Sequence, residues 1–310
     1  MTMFDCTLII PMHSQPNHLA MALQGLVKHS LLSHRILVVY SRPEVQGHAT
    51  ARDFIFAKRT EAEIASQINT PLKGYHKYHS VQEYHEKHRD WCEEHHIEFH
   101  DVTEQALVFE EQYKMGHIYP GGIWEGGQDT AFKDNIGLTL TDTELIVNNW
   151  DADFYPGPGW DAPLAHLLRH YQEKQIVAIP VHIQPYKYKI IPEWKNIFED
   201  TRDVACNRPV FALPWERDNG QVYEHEWIEF VQKWQREEIY AEPGGLRDYL
   251  HYLPIMMRTV DARRVGEYCY KGSGYEIEMD DRRGKMGFLK VCHRTSFIMH
   301  KGFIVDEDDA

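Results

Sequence analysis

Two carboxylates stand two residues apart behind an apolar run. Glu144-Leu145-Ile146-Val147 leads into Asn148-Asn149-Trp150-Asp151-Ala152-Asp153. Carboxylates at i and i+2 on a chain leaving a strand can converge on one hard divalent cation, which takes oxygen ligands and keeps open positions for phosphate oxygens. Such a cation neutralises a diphosphate and makes it a better leaving group. A D-x-D pair by itself is common in loops. Its place at a strand's carboxyl end, where open parallel sheets bind ligands, favours the metal reading, as does the Pro156-Gly157-Pro158-Gly159 turn behind it.

Two further groups of residues have chemical potential. From Arg258 to Lys301 basic residues outnumber acidic ones, with Arg263-Arg264, Arg282-Arg283-Gly284-Lys285 and Arg294 among them. A local basic patch can hold a diphosphate, and Arg282, Arg283 and Arg294 are expected to serve the ligand more than stability. Any one of these side chains also suits a solvated, salt-bridged surface. The second group is the histidine-rich segment His76, His79, His85, His88, His95, His96 and His100. On a helix His88, Cys92 and His95 would share one face, as a zinc site requires, but no finger-type spacing accompanies them. Lys271-Gly272-Ser273-Gly274 reads as an ordinary turn, with a phosphate loop as the alternative.

The elements that must position these groups follow from hydrophobic pattern. Thr7 to Pro11 and Ile36 to Tyr40 are apolar runs too short for helices, and Leu19, Leu23, Leu26 and Val27 between them have helical spacing. Strand, helix, strand over so short a distance is a βαβ unit and implies a parallel sheet. Val45 to His96 reads as mainly helical and polar, with breaks near Pro71 and Gly74, and Ile97 to His100 as a short third strand. A helix is expected from about Gln128 to Leu140, then a strand over Glu144 to Asn149. A helix through Leu164, Leu167 and Leu168 and a strand over Ile176 to Ile179 come next. Pro180 to Pro214 reads as loops over a site. His225 to Tyr240 reads as an amphipathic helix packing Trp227, Phe230, Val231 and Trp234 into the core.

The chain of 310 residues, with 43% hydrophobic and 26% charged residues, can bury a substantial core. Its 12% aromatic content suits sugar or base stacking as well as core packing. The formal net charge of −14 disfavours non-specific binding to nucleic acid or to an anionic membrane. Cys6, Cys92, Cys206, Cys269 and Cys292 contain no C-x-x-C pair, the pattern of free thiols in a reducing compartment. No apolar stretch approaches the ~20 residues that span a bilayer, and no secretory signal precedes the first strand. A cytoplasmic location is expected.

These segments, taken in order, resemble family 2 glycosyltransferases with the GT-A fold. Thr7-Leu8-Ile9-Ile10-Pro11 with its following helix is similar to their opening. Ala131-Phe132-Lys133-Asp134-Asn135-Ile136-Gly137-Leu138 and then Glu144 to Asp153 resemble their helix, strand and D-x-D signature. Pro158-Gly159-Trp160 with Leu164 is similar to the turn behind it. Val291 to Phe297 and Lys301-Gly302-Phe303 resemble the strand and glycine-aromatic element beneath the acceptor site. The resemblance covers roughly half the chain, and the order of the motifs carries it more than any one of them.

The resemblance implies an α/β GT-A type fold: one catalytic domain with a nucleotide-binding, mostly parallel sheet flanked by helices and a smaller acceptor-side region. Residues 1–160 would form the nucleotide-sugar-binding half and 161–310 the acceptor-side half. It implies a hexosyltransferase-type enzyme using a UDP- or GDP-sugar, with Mn2+ or Mg2+ held by Asp151 and Asp153. Pro11, Met12 and His13 would lie near the nucleotide, and Lys133 and Asn135 on the helix bordering the donor pocket. Arg294 would face the diphosphate. His293 would be a further metal ligand or diphosphate contact, or else a buried structural histidine.

Family members commonly end the second strand with an acid that reads the base or ribose; here Tyr40-Ser41 stands there, and Glu44 is the nearest substitute. Inverting members place a general base after the glycine-aromatic element. Asp306, Glu307, Asp308 and Asp309 are the candidates, with retaining chemistry or a base such as Glu199 or Asp200 as alternatives. The acceptor would be a glycan, a lipid-linked sugar or a small molecule, or a hydroxymethylated DNA base, against which the net charge counts. Two competing classes are a sugar-phosphate nucleotidyltransferase and a non-catalytic nucleotide-sugar-binding protein. The first normally carries a Gly-rich basic loop where this chain has Met12-His13-Ser14-Gln15.

Overall fold

A computed structural model describes residues 4–12, 16–41, 86, 89–90, 92–122, 127–150, 154–183, 224–237, 239–243, 254–270 and 275–300. The chain runs through β1 (Cys6–Met12), α1 (Pro16–His29), β2 (His34–Tyr40), β3 (Glu98–Asp101), α2 (Thr103–Lys114), α3 (Gly127–Leu140), β4 (Leu145–Asn148) and β5 (Phe154–Pro156). It continues through α4 (Asp161–His170), β6 (Ile176–Ile183), α5 (Glu224–Trp234), β7 (Ile239–Pro243), β8 (Ile255–Arg258), α6 (Thr259–Val265), α7 (Tyr275–Lys285) and β9 (Leu289–His300).

The described strands form one nine-stranded sheet in the order β3-β2-β1-β4-β8-β6-β9-β5, with β7 pairing β9 from outside that path. β1, β2, β3 and β4 are mutually parallel, and β6 and β9 run the same way; β8, β5 and β7 run against them. From β1 the chain steps outward to β2 and β3, then returns to place β4 on the other side of β1. Strand order therefore reverses between β1 and β4. Crevices that bind ligands in open α/β sheets form at the carboxyl ends of strands on either side of such a reversal.

Alternation along the strands builds two cores, as the period of two requires. Leu8, Ile10, Met12, Ile36, Val38, Tyr40, Leu145 and Val147 cluster with Leu23 and Leu26 of α1 and Leu164, Leu167 and Leu168 of α4. Ile9, Val39 and Ile146 face the other way, into a cluster with Ala131 and Leu138 of α3, Trp227 of α5, Ala262 of α6 and Met279 of α7. Gly137 lets α3 lie against β1. A Cβ there would meet the Ile9 side chain at 2.5 Å, so no larger residue fits without moving a fully buried neighbour.

Four expectations need correction. Val27 is 57% exposed, while Leu23 and Leu26 of α1 turn inward. β6 runs to Ile183, past Pro180. Pro180 pairs with His293 at the point where the β6–β9 register shifts, an irregularity of the kind that accommodates a residue unable to donate to a ladder. The helix beginning at Glu224 stops at Trp234, and Tyr240 is in β7, paired with Cys292. The helical residues around Cys92 end before His95, which lies in a turn with His96 at φ 58°. Cys92 is buried and His95 exposed, so the two do not share a face.

Candidate functional site

The reversal point brings together the ends of β1, β2 and β4 above the first turns of α3. At the end of β1, Pro11 and Met12 are buried and paired with Val39 and Tyr40. The Met12 carbonyl accepts hydrogen bonds from Ser41 N at 3.2 Å and from Lys133 Nζ at 2.8 Å. Lys133 also pairs with Asp129, one turn back on α3 at 2.5 Å, and both side chains are fully buried. Burial pushes the Lys133 ammonium below its ordinary pKa, against the opposing pull of Asp129. Lys133, expected at a donor pocket, is thus engaged beneath the strand ends. Ser41 Oγ is 3.4 Å from both oxygens of Asp129. Ser41, directly behind β2, thus stands beside a carboxylate supplied by α3.

At β4 the entire strand is buried, and Asn149 directly behind it adopts φ 56°, the left-handed region in which asparagine is enriched among non-glycine residues. Trp150 and Phe154 are both fully buried, in edge contact at 5.8 Å, and Trp150 also packs on Trp160 at 4.9 Å. Both flanks of residues 151–153 are therefore fixed in the core.

Beside β4 stands Tyr268, whose hydroxyl donates to Asn149 Oδ1 at 2.6 Å. Asn135 of α3 clamps the Tyr268 backbone from both sides. Its Oδ1 accepts from Tyr268 N at 2.7 Å, and its Nδ2 donates to Tyr268 O at 2.9 Å and to Tyr270 Oη at 3.0 Å. Arg283 donates to the Tyr268 hydroxyl at 3.3 Å and pairs with Asp280 at 3.1 Å; Asp280 also pairs with Lys290. Burial raises the Tyr268 pKa far above its ordinary value, with Arg283 opposing, so the phenol remains a donor. Asn135 and Arg283 thus act on this site through Tyr268. Arg282 pairs with Glu278 and donates to the carbonyls of Val265 and Glu267, closing the end of α6. Its guanidinium is used by the fold, contrary to the expectation of a ligand contact.

His293 and Arg294 lie elsewhere on the sheet. Register across β4, β8, β6 and β9 places Val147, Met256, Ala178 and Val291 in one row, so His293 is level with Asn149 but three strand spacings away, about 14 Å. The His293 ring is buried, with Nδ1 2.8 Å from Thr295 Oγ1. Burial lowers its pKa; Glu237 opposes this and His166 of α4 adds to it. Arg294 is half-buried, and its carbonyl accepts from Arg236 N at 3.2 Å.

His13, Glu44, Asp151, Asp153, Glu199, Asp200, Asp306, Glu307, Asp308 and Asp309 lie outside the described residues. So do His76, His79, His85 and His88, the 271–274 turn and the 301–303 element. Among the described residues no three His, Cys, Asp or Glu side chains converge to hold a metal. Asp129 and Tyr268 were not singled out by motif. The i,i+4 spacing of Asp129 and Lys133 was the legible signal for the first, and nothing local marks the second.

No protein-family model and no curated protein matches the sequence. Among solved structures, the crystal structure of S. aureus TarS 1-349 aligns at 9% identity over 96% of this chain and 60% of that one, with a TM-score of 0.45. The crystal structure of GalNAc-T7 with UDP, GalNAc and Mn2+ aligns at 11% identity over 98% of this chain and 45% of that one, with a TM-score of 0.53. The chain thus spans 45% to 60% of the length of these structures, less than two thirds of either. Likeness at this identity reports the fold, and the fold is a GT-A-like glycosyltransferase fold, a large and mostly parallel sheet flanked by helices.

Proposed function

We propose that this chain is a metal-dependent glycosyltransferase that moves a sugar from a UDP- or GDP-sugar to an acceptor hydroxyl, with Asp151 and Asp153 as ligands of Mn2+ or Mg2+. One observation carries the reading more than any other: β4, which the D-x-D pair follows in sequence, ends at the strand-order reversal of a GT-A-like sheet. Trp150 and Phe154, fully buried on either side, leave a short segment whose ends are fixed, which suits two carboxylates sharing one cation. When bound, the metal would stabilise charge on the departing diphosphate.

The protein's own residues have separable tasks under this reading. The end of β1 is held by Lys133 and Ser41 at the Met12 carbonyl; Pro11, Met12 and His13 serve the nucleotide, with Glu44 as the base or ribose contact. Asn135 supports the β4 end, and Arg294 and His293 serve the diphosphate from the β9 side. Asp306, Glu307 and Asp308 supply the general base for an acceptor hydroxyl of a glycan, a lipid-linked sugar, a small molecule or, less favoured by the charge, modified DNA. Residues 1–160 form the donor half and 161–310 the acceptor half. Among the described residues no helix is long and apolar enough to cross a membrane, and a cytoplasmic location remains part of the proposal.

Ligands that bind the folded state raise its melting temperature by mass action. UDP or GDP with Mn2+ should raise the melting temperature of this chain, and Mn2+ alone should raise it less. A panel in which no nucleoside diphosphate shifts melting, at concentrations far above a micromolar Kd, would overturn the reading.

A further inference from the structure

The last two turns of α4 carry His166 and His170, both exposed, while Leu164, Leu167 and Leu168 of the same helix face the core. Four residues apart on a helix, the two side chains stand one above the other. Their rings lie face to face, with centroids 5.6 Å apart and planes 19° from parallel. Among the described residues no hydrogen bond or ion pair engages either ring. Neither core packing nor a polar network accounts for the pair.

A metal that an imidazole nitrogen ligates at about 2 Å lies about 3.2 Å from the ring centre, so two imidazoles on one tetrahedral ion have centres about 5 Å apart. The spacing of His166 and His170 is close to that value. A turn of each exposed ring about its Cβ–Cγ bond brings both Nε2 atoms toward one point, with no buried group to displace. The surroundings also suit a cation, because a helix carboxyl end favours positive charge and His170 is the last residue of α4. Arg169, between the two histidines, pairs with Asp5 and Glu144, the residues directly ahead of β1 and β4. This end of α4 therefore lies at the amino edge of the parallel strands, away from the strand ends that form the candidate functional site. His166-Leu167-Leu168-Arg169-His170 also lacks the glutamate that serves as base in H-E-x-x-H hydrolases, so a structural ion is indicated.

We propose that His166 and His170 form a two-histidine site for a borderline divalent transition ion, Zn2+ foremost, which pins the last turn of α4. Imidazole suits Zn2+, Cu2+ and Ni2+, whereas Mn2+ stands lowest in the affinity order for such ligands and Mg2+ prefers oxygen. The site therefore differs in metal preference from a pair of carboxylates. No third His, Cys, Asp or Glu joins the two among the described residues, and water completes the coordination. Neither histidine enters the glycosyltransferase reading, and the site stands whether or not that reading holds.

A local readout is needed because the chain has 20 histidines. Amide hydrogen exchange in a peptide covering the end of α4 provides it. An ion that binds only the closed turn raises protection by one plus the ratio of its concentration to Kd. With a Kd of about 10 µM, Zn2+ at about 100 µM should slow exchange of the amides from Leu167 to Tyr171 about tenfold in the full chain. Mn2+ at the same concentration should leave them unchanged. His166→Gln and His170→Gln should each abolish the Zn2+ effect and leave metal-free exchange as in the native chain, since both positions are exposed. The two variants are independent, so if one disturbs the metal-free turn the other decides. Absence of slowing by Zn2+ in the native chain overturns the proposal, as does equal slowing by Mn2+. Slowing that survives in a variant with an undisturbed turn assigns the ion to other ligands and overturns it too.

Discussion

His34 Nε2 lies 2.7 Å from Asp161 Oδ2, a contact that ties the first residue of β2 to the first residue of α4. The same carboxylate accepts from Leu31 N at 3.0 Å and from Leu32 N at 2.9 Å, while the His34 ring stacks on Trp160 at 5.9 Å. Asp161 is fully buried and therefore part of the frame, although it stands only eight residues beyond Asp153 in the sequence.

Asp161→Asn should destabilise the fold by about 2–3 kcal/mol, because an amide cannot accept all of these bonds as an anion does. Asp142, whose side chain is 77% exposed beside Arg35, should tolerate the same change with little effect. Burial raises the Asp161 pKa, but His34 and the N–H groups of Leu31 and Leu32 outweigh it, and the net shift is downward from 3.8. A depressed folded-state value means that the stabilisation is present above pH 3.8 and is lost as pH falls toward the lower folded value. Urea midpoints measured from pH 6 to pH 3 should fall more steeply for the native sequence than for Asp161→Asn. Parallel pH dependences would contradict this.

Lys133 and Asp129 form a fully buried ion pair, and breaking one side leaves an uncompensated charge. Lys133→Met should cost about 3–5 kcal/mol, whereas Asp129→Leu combined with Lys133→Met should recover much of that loss. Urea denaturation of the native sequence, Lys133→Met, Asp129→Leu and the double variant decides it. If the double variant is as unstable as the sum of its parts, the pair is not coupled as its geometry requires.

Under the proposed function, Asp153→Asn keeps shape and removes charge from the metal. Transfer should fall by roughly two orders of magnitude, about 3 kcal/mol of transition-state stabilisation, with the melting temperature of the unliganded protein little changed. Asp142→Asn is the fitting control, since Asp161 is structural. A steady-state assay under one Mn2+ titration compares them, and equal activity and metal dependence in both would remove the D-x-D from the mechanism.

The sequence by itself determined the elements whose signal is local. Apolar runs ending at Tyr40 and Asn148 became β2 and β4, the run around Ile97 yielded β3, and the helix expected over Gln128 to Leu140 is α3 within one residue. Strands buried on both faces need continuous apolar side chains, and that requirement is written residue by residue. Tertiary structure alone decided what depends on partners far along the chain. β8 enters between β4 and β6, and the helix expected to reach Tyr240 yields to a strand because β9 offers Cys292 as its pairing partner. The site divides in the same way. The D-x-D is legible because two like charges adjoin in sequence, and Lys133 with Asp129 because one helical turn separates them. The bond from Tyr268 to Asn149 spans 119 residues. No periodicity encodes a contact of that separation; it exists only once α3, α6 and α7 have packed on one face of the sheet and excluded water from the phenol.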